Sequence, residues 1–247
     1  IIHMHTVRTF QNAVVAHYAQ KHGKPYLLSA HGTLPVIIER QLPKRVFDLL
    51  AGRYILKHAA GFHAVSEVEV EQYIAHKLPE EKIHLIYNGL DLAAYQPLPE
   101  AGFFRRKLQI PEEARLILHL GRIHKRKRID ALIRGFNHLV QRHPGTMLLV
   151  AGPDDGEQAV LEKLCHNLGL EGQVVFTGPV YGMEKLALLQ DADLVVSTGV
   201  HEIFGLVLFE AVLCGTPVMV SDDCGAGRLV DQVGMGWVVK AGDASDL

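Results

Sequence analysis

Leu116-Ile117-Leu118-His119-Leu120-Gly121-Arg122-Ile123-His124-Lys125-Arg126-Lys127-Arg128-Ile129 is the stretch on which the fold turns. A short apolar run stops at a glycine and enters a loop in which five of the seven residues from Arg122 to Arg128 are Lys or Arg. A helical pattern over residues 129–142 follows. Apolar runs that do not alternate with polar residues suit strands buried on both faces of a parallel sheet. The same rhythm extends to both sides. Strands are expected at 1–5, 26–30, 62–65, 83–87, 116–120, 147–151, 174–177, 194–197, 218–220 and 237–239. Helices are expected between them, at 9–22, 44–59, 67–76, 129–142, 157–168, 183–190, 207–214 and 226–233. Strand alternating with helix predicts repeated βαβ units, an α/β chain of doubly wound parallel sheets.

The rhythm breaks once. Asn88-Gly89-Leu90-Asp91, Gln96-Pro97-Leu98-Pro99, a short basic helix at 103–108 and Pro111 are turn and linker chemistry. The expected division is therefore a partial first domain over residues 1–97 and a second domain over 98–247. The second shows six strands; the first shows three and a remnant at its start. The chain opens at Ile1, within an apparent strand, and closes on Ala244-Ser245-Asp246-Leu247, where Asp243 or Ser245 would cap a new helix.

Composition narrows the function classes. The 247 residues carry 25 Lys and Arg against 27 Asp and Glu, a net charge of −2, with 48% hydrophobic residues. That balance is ordinary for a globular protein and unlike a general nucleic-acid binder. No apolar run approaches the ~20 residues that span a bilayer, and the first residues lack the pattern of a secretory signal. Cys165, Cys214 and Cys224 include no C-x-x-C pair, so reduced thiols and a cytoplasmic location are expected.

Two segments carry chemistry. In a doubly wound sheet ligands bind at the carboxyl ends of strands, near the point where strand order reverses. A basic loop there, opening a helix, suits an anion, because helix N–H groups and Arg and Lys side chains converge on it. Charge alone is equally consistent with a solvated loop; Gly121 and the position at a strand end favour phosphate. Neither G-x-G-x-x-G nor G-x-x-x-x-G-K-[ST] occurs, which removes support for dinucleotide and P-loop sites. The second segment runs from His201-Glu202-Ile203-Phe204-Gly205-Leu206 to Glu210 and on to Gly215-Thr216-Pro217-Val218. Phe204-Gly205-Leu206 starts a helix with free N–H groups, and Gly215 ends it. Two carboxylates near a helix start would repel a bare phosphate but could accept from the hydroxyls of a sugar nucleotide. On spacing alone, Glu202 and Glu210 read more simply as surface residues.

Taken together these residues resemble the retaining glycosyltransferases of group 1, also called family 4, which have the GT-B fold of two Rossmann-like domains. Glu202 to Glu210, with the glycine turn and Gly215-Thr216-Pro217-Val218, resembles the family's E-x7-E signature. Gly121-Arg122-Ile123 with Lys127 resembles its G-R-L-x-x-x-K-G loop. Tyr87-Asn88-Gly89-Leu90-Asp91, Ala64-Val65-Ser66 and Phe176-Thr177-Gly178-Pro179-Val180 resemble three further motifs, in family order. The resemblance implies transfer of a hexose from a nucleotide diphosphate-sugar to an acceptor hydroxyl with retention of configuration. Gly121, Arg122 and Lys127 would hold the diphosphate. Glu202 would contact sugar hydroxyls beside the N–H groups of Phe204, Gly205 and Leu206. Glu210 would hold the ribose, and Gly178 and Val180 would border the base. His31 would face the donor sugar. No cofactor or metal is implied, no D-x-D motif is read, and Asp154-Asp155 and Asp222-Asp223 are taken as turn caps. The acceptor would be a sugar, polysaccharide or lipid-linked group, with peripheral contact at the inner membrane face.

The sequence also departs from the family pattern. Arg128 replaces a usual Gly, Ser197-Thr198-Gly199 stands in place of a Pro-Ser pair, and Arg228 stands in place of a Glu. The family's first strands, glycine-rich loop and final helix have no counterpart, so the chain reads as a fragment. A non-catalytic nucleotide-sugar-binding module is the alternative; a generic Rossmann oxidoreductase lacks its fingerprint. His3-Met4-His5 puts two imidazoles on one strand face, without a Cys or carboxylate at ligand spacing, and is not expected to bind metal. The helix over 45–59 is expected to face the core, with membrane contact as the alternative.

Overall fold

The structure, a computed structural model, describes residues 1–36 and 41–242; the expected cap at Asp243 or Ser245 lies outside them. Two compact units divide at Asn88 and Gly89. The first contains β1 (Ile2–His5), α1 (Phe10–Lys21), β2 (Tyr26–Ser29), α2 (Gln41–Phe47), a π-helical turn (Asp48–Gly52), α3 (Arg53–His58), β3 (Gly61–Ala64), α4 (Glu67–Ala75) and β4 (Ile83–Leu85). Its four strands are parallel, in the order β1-β2-β3-β4. Thr9 caps α1 by accepting from the Asn12 N–H, and Ser66 caps α4 by accepting from the Glu69 N–H. The core gathers Met4, Tyr26, Leu28, Ile55, Phe62 and Tyr73.

The second unit contains α5 (Phe103–Lys107), β5 (Arg115–Leu120), α6 (Ile129–Arg142), β6 (Thr146–Ala151), α7 (Gln158–Leu168), β7 (Val174–Gly178), α8 (Gly182–Asp191), β8 (Leu194–Ser197), α9 (Leu206–Leu213), β9 (Val218–Ser221), α10 (Gly227–Val233) and β10 (Gly236–Val239). Its six parallel strands run β10-β9-β8-β5-β6-β7, the doubly wound order with its switch point between β5 and β8. Apolar side chains pack on both faces of this sheet. Ile129, Leu132, Ile133, Phe136 and Val140 of α6 bury a stripe of helical period against Leu148 and Val150. Leu116, Leu118 and Leu149 face a second cluster with α8 and α9.

The expected division at residue 97 differs from the observed one. Leu90, Tyr95 and Leu98 pack on the core of the second unit, so the turn chemistry after Asn88 belongs to that unit. Helix 45–59 is also corrected in part. Ile55 and Gly52 are buried as expected, but Leu42, Val46, Leu49, Leu50 and Tyr54 lie on an exposed face. Among the described residues, no helix is long and apolar enough to cross a membrane.

Candidate functional site

The switch point is where the site assembles. β5 pairs with β6 along its whole length but with β8 only at Ile117↔Leu194 and Leu118↔Val195. Beyond that the two strands part, and their loops enter the gap. His119 lies at the parting. It is 2% exposed, its Nδ1–H donates to the Val196 carbonyl (3.2 Å), and its Nε2 has no hydrogen-bond partner. Burial, and then the charge of Lys127, push its pKa down to about 4, so the ring is neutral.

Gly121 follows β5. Gly152 follows β6 at φ +150°, and a Cβ there would lie 1.8 Å from the Gly121 carbonyl oxygen. The Gly121 N–H donates to Ala151, and the Gly152 N–H to Gly178 (both 2.9 Å), so three strand ends are laced through backbone alone. Arg122 is exposed and pairs with Asp155 (2.8 Å). Asp154 accepts from the Gly156, Glu157 and Gln158 N–H groups, which hold its carboxyl below the usual range. It is a cap, as read from sequence.

Lys125–Lys127 form a turn of 3-10 helix, and Arg128 adopts φ 49°, ψ 38° before α6. This left-handed conformation explains why a glycine suits the position. Arg128 occupies it with its guanidinium on Asp130 (3.1 Å), while the Thr198 hydroxyl donates to the Lys127 or Arg128 carbonyl (2.9 and 3.0 Å). Thr198 thus ties the loop after β8 to the loop after β5.

Lys127 Nζ meets the carboxylate of Glu202 directly. A cavity of about 100 Å³ is lined by Arg122, His124, Arg126, Lys127, Val200 and Glu202. The Glu202 carbonyl accepts from Gly225 N–H (2.7 Å), which fixes its loop to the one after β9. Gly205 takes φ +76° at the start of α9, where a Cβ would crowd Leu208 and Cys224 (3.2 and 3.3 Å). Phe204 is buried against Phe209, while Leu206 remains exposed.

Glu210 does not line that cavity. Its Oε1 accepts from Lys185 (2.8 Å) and from the Tyr95 hydroxyl (3.1 Å), a second polar cluster. Burial and the Glu210 carboxylate push the Tyr95 phenol up to about 12, which keeps it a donor. Lys185 and Tyr95 are the residues that sequence reading missed; they lie 25 and 115 positions from Glu210, and no local pattern links them. Gly178 closes β7 at φ +72°, and Val180 is buried in the core. Asp191-Ala192-Asp193 is a D-x-D tripeptide that the sequence reading overlooked. Asp191 accepts from the N–H groups of Gly102, Phe104 and Arg105, and Asp193 pairs with Arg105 and accepts from Leu116 N–H, so both carboxylates cap and staple.

His31 lies in the first unit, after β2, at φ 49°. Its Nε2 bonds His5 Nδ1 (2.9 Å) with the rings nearly parallel. His3 and His63 both bond the Ser29 hydroxyl (2.7 Å each). Burial lowers the His31 pKa, and His5 and His63 lower it further, against Glu69, which raises it. Among the described residues, no group of three or more His, Cys, Asp and Glu has the geometry to hold a metal.

The pattern of the group 1 glycosyl transferases matches residues 100–247, and that of glycosyltransferase family 4 matches residues 1–94. The chain belongs to the group 1 glycosyl transferases. Among its relatives in this family is an uncharacterized glycosyltransferase of Methanocaldococcus jannaschii, 37% identical over 155 residues, 62% of this chain and 39% of the relative. A D-inositol 3-phosphate glycosyltransferase of Saccharomonospora viridis is 30% identical over 190 residues, 73% of this chain and 44% of the relative. The chain thus spans less than half the length of these curated relatives. The structure of Anabaena HepE in complex with UDP and glucose superposes with a TM-score of 0.79 at 26% identity, covering 95% of this chain and 63% of that one. Both Rossmann-like sheets match those of GT-B glycosyltransferases.

Proposed function

We propose that this chain carries the donor half of a retaining glycosyltransferase that moves a hexose from a nucleotide diphosphate-sugar to an acceptor hydroxyl. The observation that carries the reading is the pairing of Lys127 with Glu202 in a cavity also lined by Arg122. One side chain suits a departing diphosphate and the other suits sugar hydroxyls. Arg122 gives up only an exposed ion pair with Asp155 when phosphate arrives, and such pairs are weak. Charge that develops on the leaving diphosphate meets cations held in place beforehand. Glu210 supplies a carboxylate for the ribose diol, with Lys185 and Tyr95 as its partners in the free protein. Gly178 and Val180 border the base, the backbone at Phe204, Gly205 and Leu206 serves the donor, and His31 contacts the sugar. The bound UDP and glucose of HepE support a nucleotide-sugar donor. The reading includes retention of configuration, a hexose, and an acceptor that is a sugar, polysaccharide or lipid-linked group, as the resemblance to the family implies, with peripheral contact at the inner membrane face if the acceptor is lipid-linked.

The test is calorimetric titration of the chain with UDP-, GDP- and ADP-glucose. At least one should bind, and Lys127→Ala should weaken it ten- to a hundredfold, since a charge-assisted bond contributes about 1.5–3 kcal/mol. No binding by any of the three would overturn the proposal. Binding without hydrolysis or transfer, even in a chain extended to the length of its relatives, would favour a non-catalytic binding module.

A further inference from the structure

Strand β5 places a histidine where an apolar core residue would serve. His119 stands between Leu118 and Leu120, 2% exposed, where β5 and β8 part. A phenyl ring or a leucine would fill the place without polar atoms. The imidazole brings two. Its Nδ1–H donates to the Val196 carbonyl (3.2 Å), while Nε2, also buried, has no hydrogen-bond partner among the described residues. A carbonyl can only accept, so the proton sits on Nδ1 and Nε2 carries a bare lone pair. Buried acceptors in native proteins are seldom left unmet, because no contact then replaces the water they lose.

The end of the Lys127 stem lies beside this nitrogen. The space above Gly121 holds no side chain of its own. A Cβ built there would lie 3.7 Å from His119 Nε2 and 4.0 Å from Lys127 Cε, so the lone pair and the lysine flank the same gap. Turning the Cδ–Cε bond swings Nζ between staggered positions while Cε stays in place. In the free protein Nζ meets Glu202 instead, as expected where a carboxylate competes with a neutral nitrogen for an ammonium. Burial, and then Lys127 itself, push the pKa of the ring down to about 4. A cationic ring would repel the lysine and would have no lone pair to offer.

We infer that His119 is a positioning residue for Lys127: its Nε2 accepts one N–H of the ammonium once a ligand draws the Glu202 carboxylate away. This rests on the proposed role of Lys127 toward the diphosphate. An ammonium carries three N–H groups on a flexible stem; with one held by His119, two remain for phosphate oxygens. The stem therefore stays ordered when its ion pair opens. Without an inner acceptor the ligand alone would have to order the freed side chain. The unmet nitrogen of the free protein is then half of an exchange, in which Lys127 leaves one acceptor for another and keeps its charge.

The experiment is nitrogen-15 NMR of the whole chain labelled at histidine, reading the Nε2 resonance of His119. Glu202→Gln releases Lys127 with no ligand present, and should move the resonance from its place in the free wild type toward that of a hydrogen-bonded nitrogen. Lys127→Ala in that background should reverse the move. Whichever of UDP-, GDP- and ADP-glucose binds the wild type should produce the same displacement. A resonance that stays in place in Glu202→Gln overturns the inference, whether or not a nucleotide binds. Displacement in Glu202→Gln with no binding of any of the three upholds the contact of His119 with Lys127 and removes donor binding alone. Titration gives a second readout. His119→Phe keeps the bulk of the ring and should weaken the sugar nucleotide about three- to tenfold, as expected for one hydrogen bond. His119→Gln returns an acceptor and should recover most of that loss. In the Lys127→Ala chain, His119→Phe should change nothing further. Equal losses in the Phe and Gln variants, or the same loss with and without Lys127, would make His119 a packing residue and overturn the inference.

Discussion

Lys127 and Glu202, 75 residues apart, neutralise one another across the switch point of the second sheet. In the proposed function, the cation suited to a diphosphate is held by the carboxylate suited to a sugar. A donor that offers both groups would then exchange this pair for two better partners. A bare nucleoside diphosphate would take Lys127 only by leaving Glu202 beside its own negative charge.

Glu202→Gln should therefore tighten binding of the bare diphosphate several-fold, on the order of 1 kcal/mol, and abolish the preference for the sugar-bearing form. Titration of wild type and variant with UDP and UDP-glucose measures both. Weaker binding of UDP to the variant would mean that Glu202 does not compete for Lys127.

His119 gives the fold an acid-sensitive element. Its pKa is about 4 in the folded protein, against 6.5 for a free imidazole. Between those values the unfolded chain binds a proton that the folded one refuses. The contribution is fully present above about pH 6.5 and is lost as pH falls toward 4. At pH 5 the loss is on the order of 2 kcal/mol. His119→Phe should flatten this part of the profile in urea unfolding measured from pH 7 to pH 5. An unchanged slope in a folded variant would place the acid sensitivity elsewhere.

Gly152 and Gly156 test backbone contact against conformational strain. Both have positive φ, but only at Gly152 would a Cβ strike backbone; at Gly156 the space is open. Gly156→Ala should cost about 1 kcal/mol. Gly152→Ala should cost at least about 3 kcal/mol, because the strand ends beneath Arg122 must separate. Equal costs in urea unfolding would show that the approach of Gly152 to Gly121 is not a constraint.

Much of this was legible along the chain. The period of apolar residues located each strand, and Phe204-Gly205-Leu206 marked the start of α9. Lys127 and Glu202 were singled out through the family resemblance; spacing alone left Glu202 a surface residue and the basic loop equally consistent with a solvated one, and their pairing appears only in the folded chain. Tyr95, Lys185 and His119 were not: their roles come from what lies opposite them in space. The two compact units divide at Asn88 and Gly89, nine residues before the expected boundary, while the two family patterns meet between residues 94 and 100; turn chemistry marks a change of direction and says nothing about which core the following residues join.

Sequence by itself determined the elements, the α/β class and the residue types in the two candidate loops, because those depend on neighbours within one or two turns of chain. The tertiary structure decided that Lys127 faces Glu202 and that Glu210 faces Lys185 and Tyr95. Those outcomes depend on strand order and on burial, which are properties of the packed chain and not of any one segment.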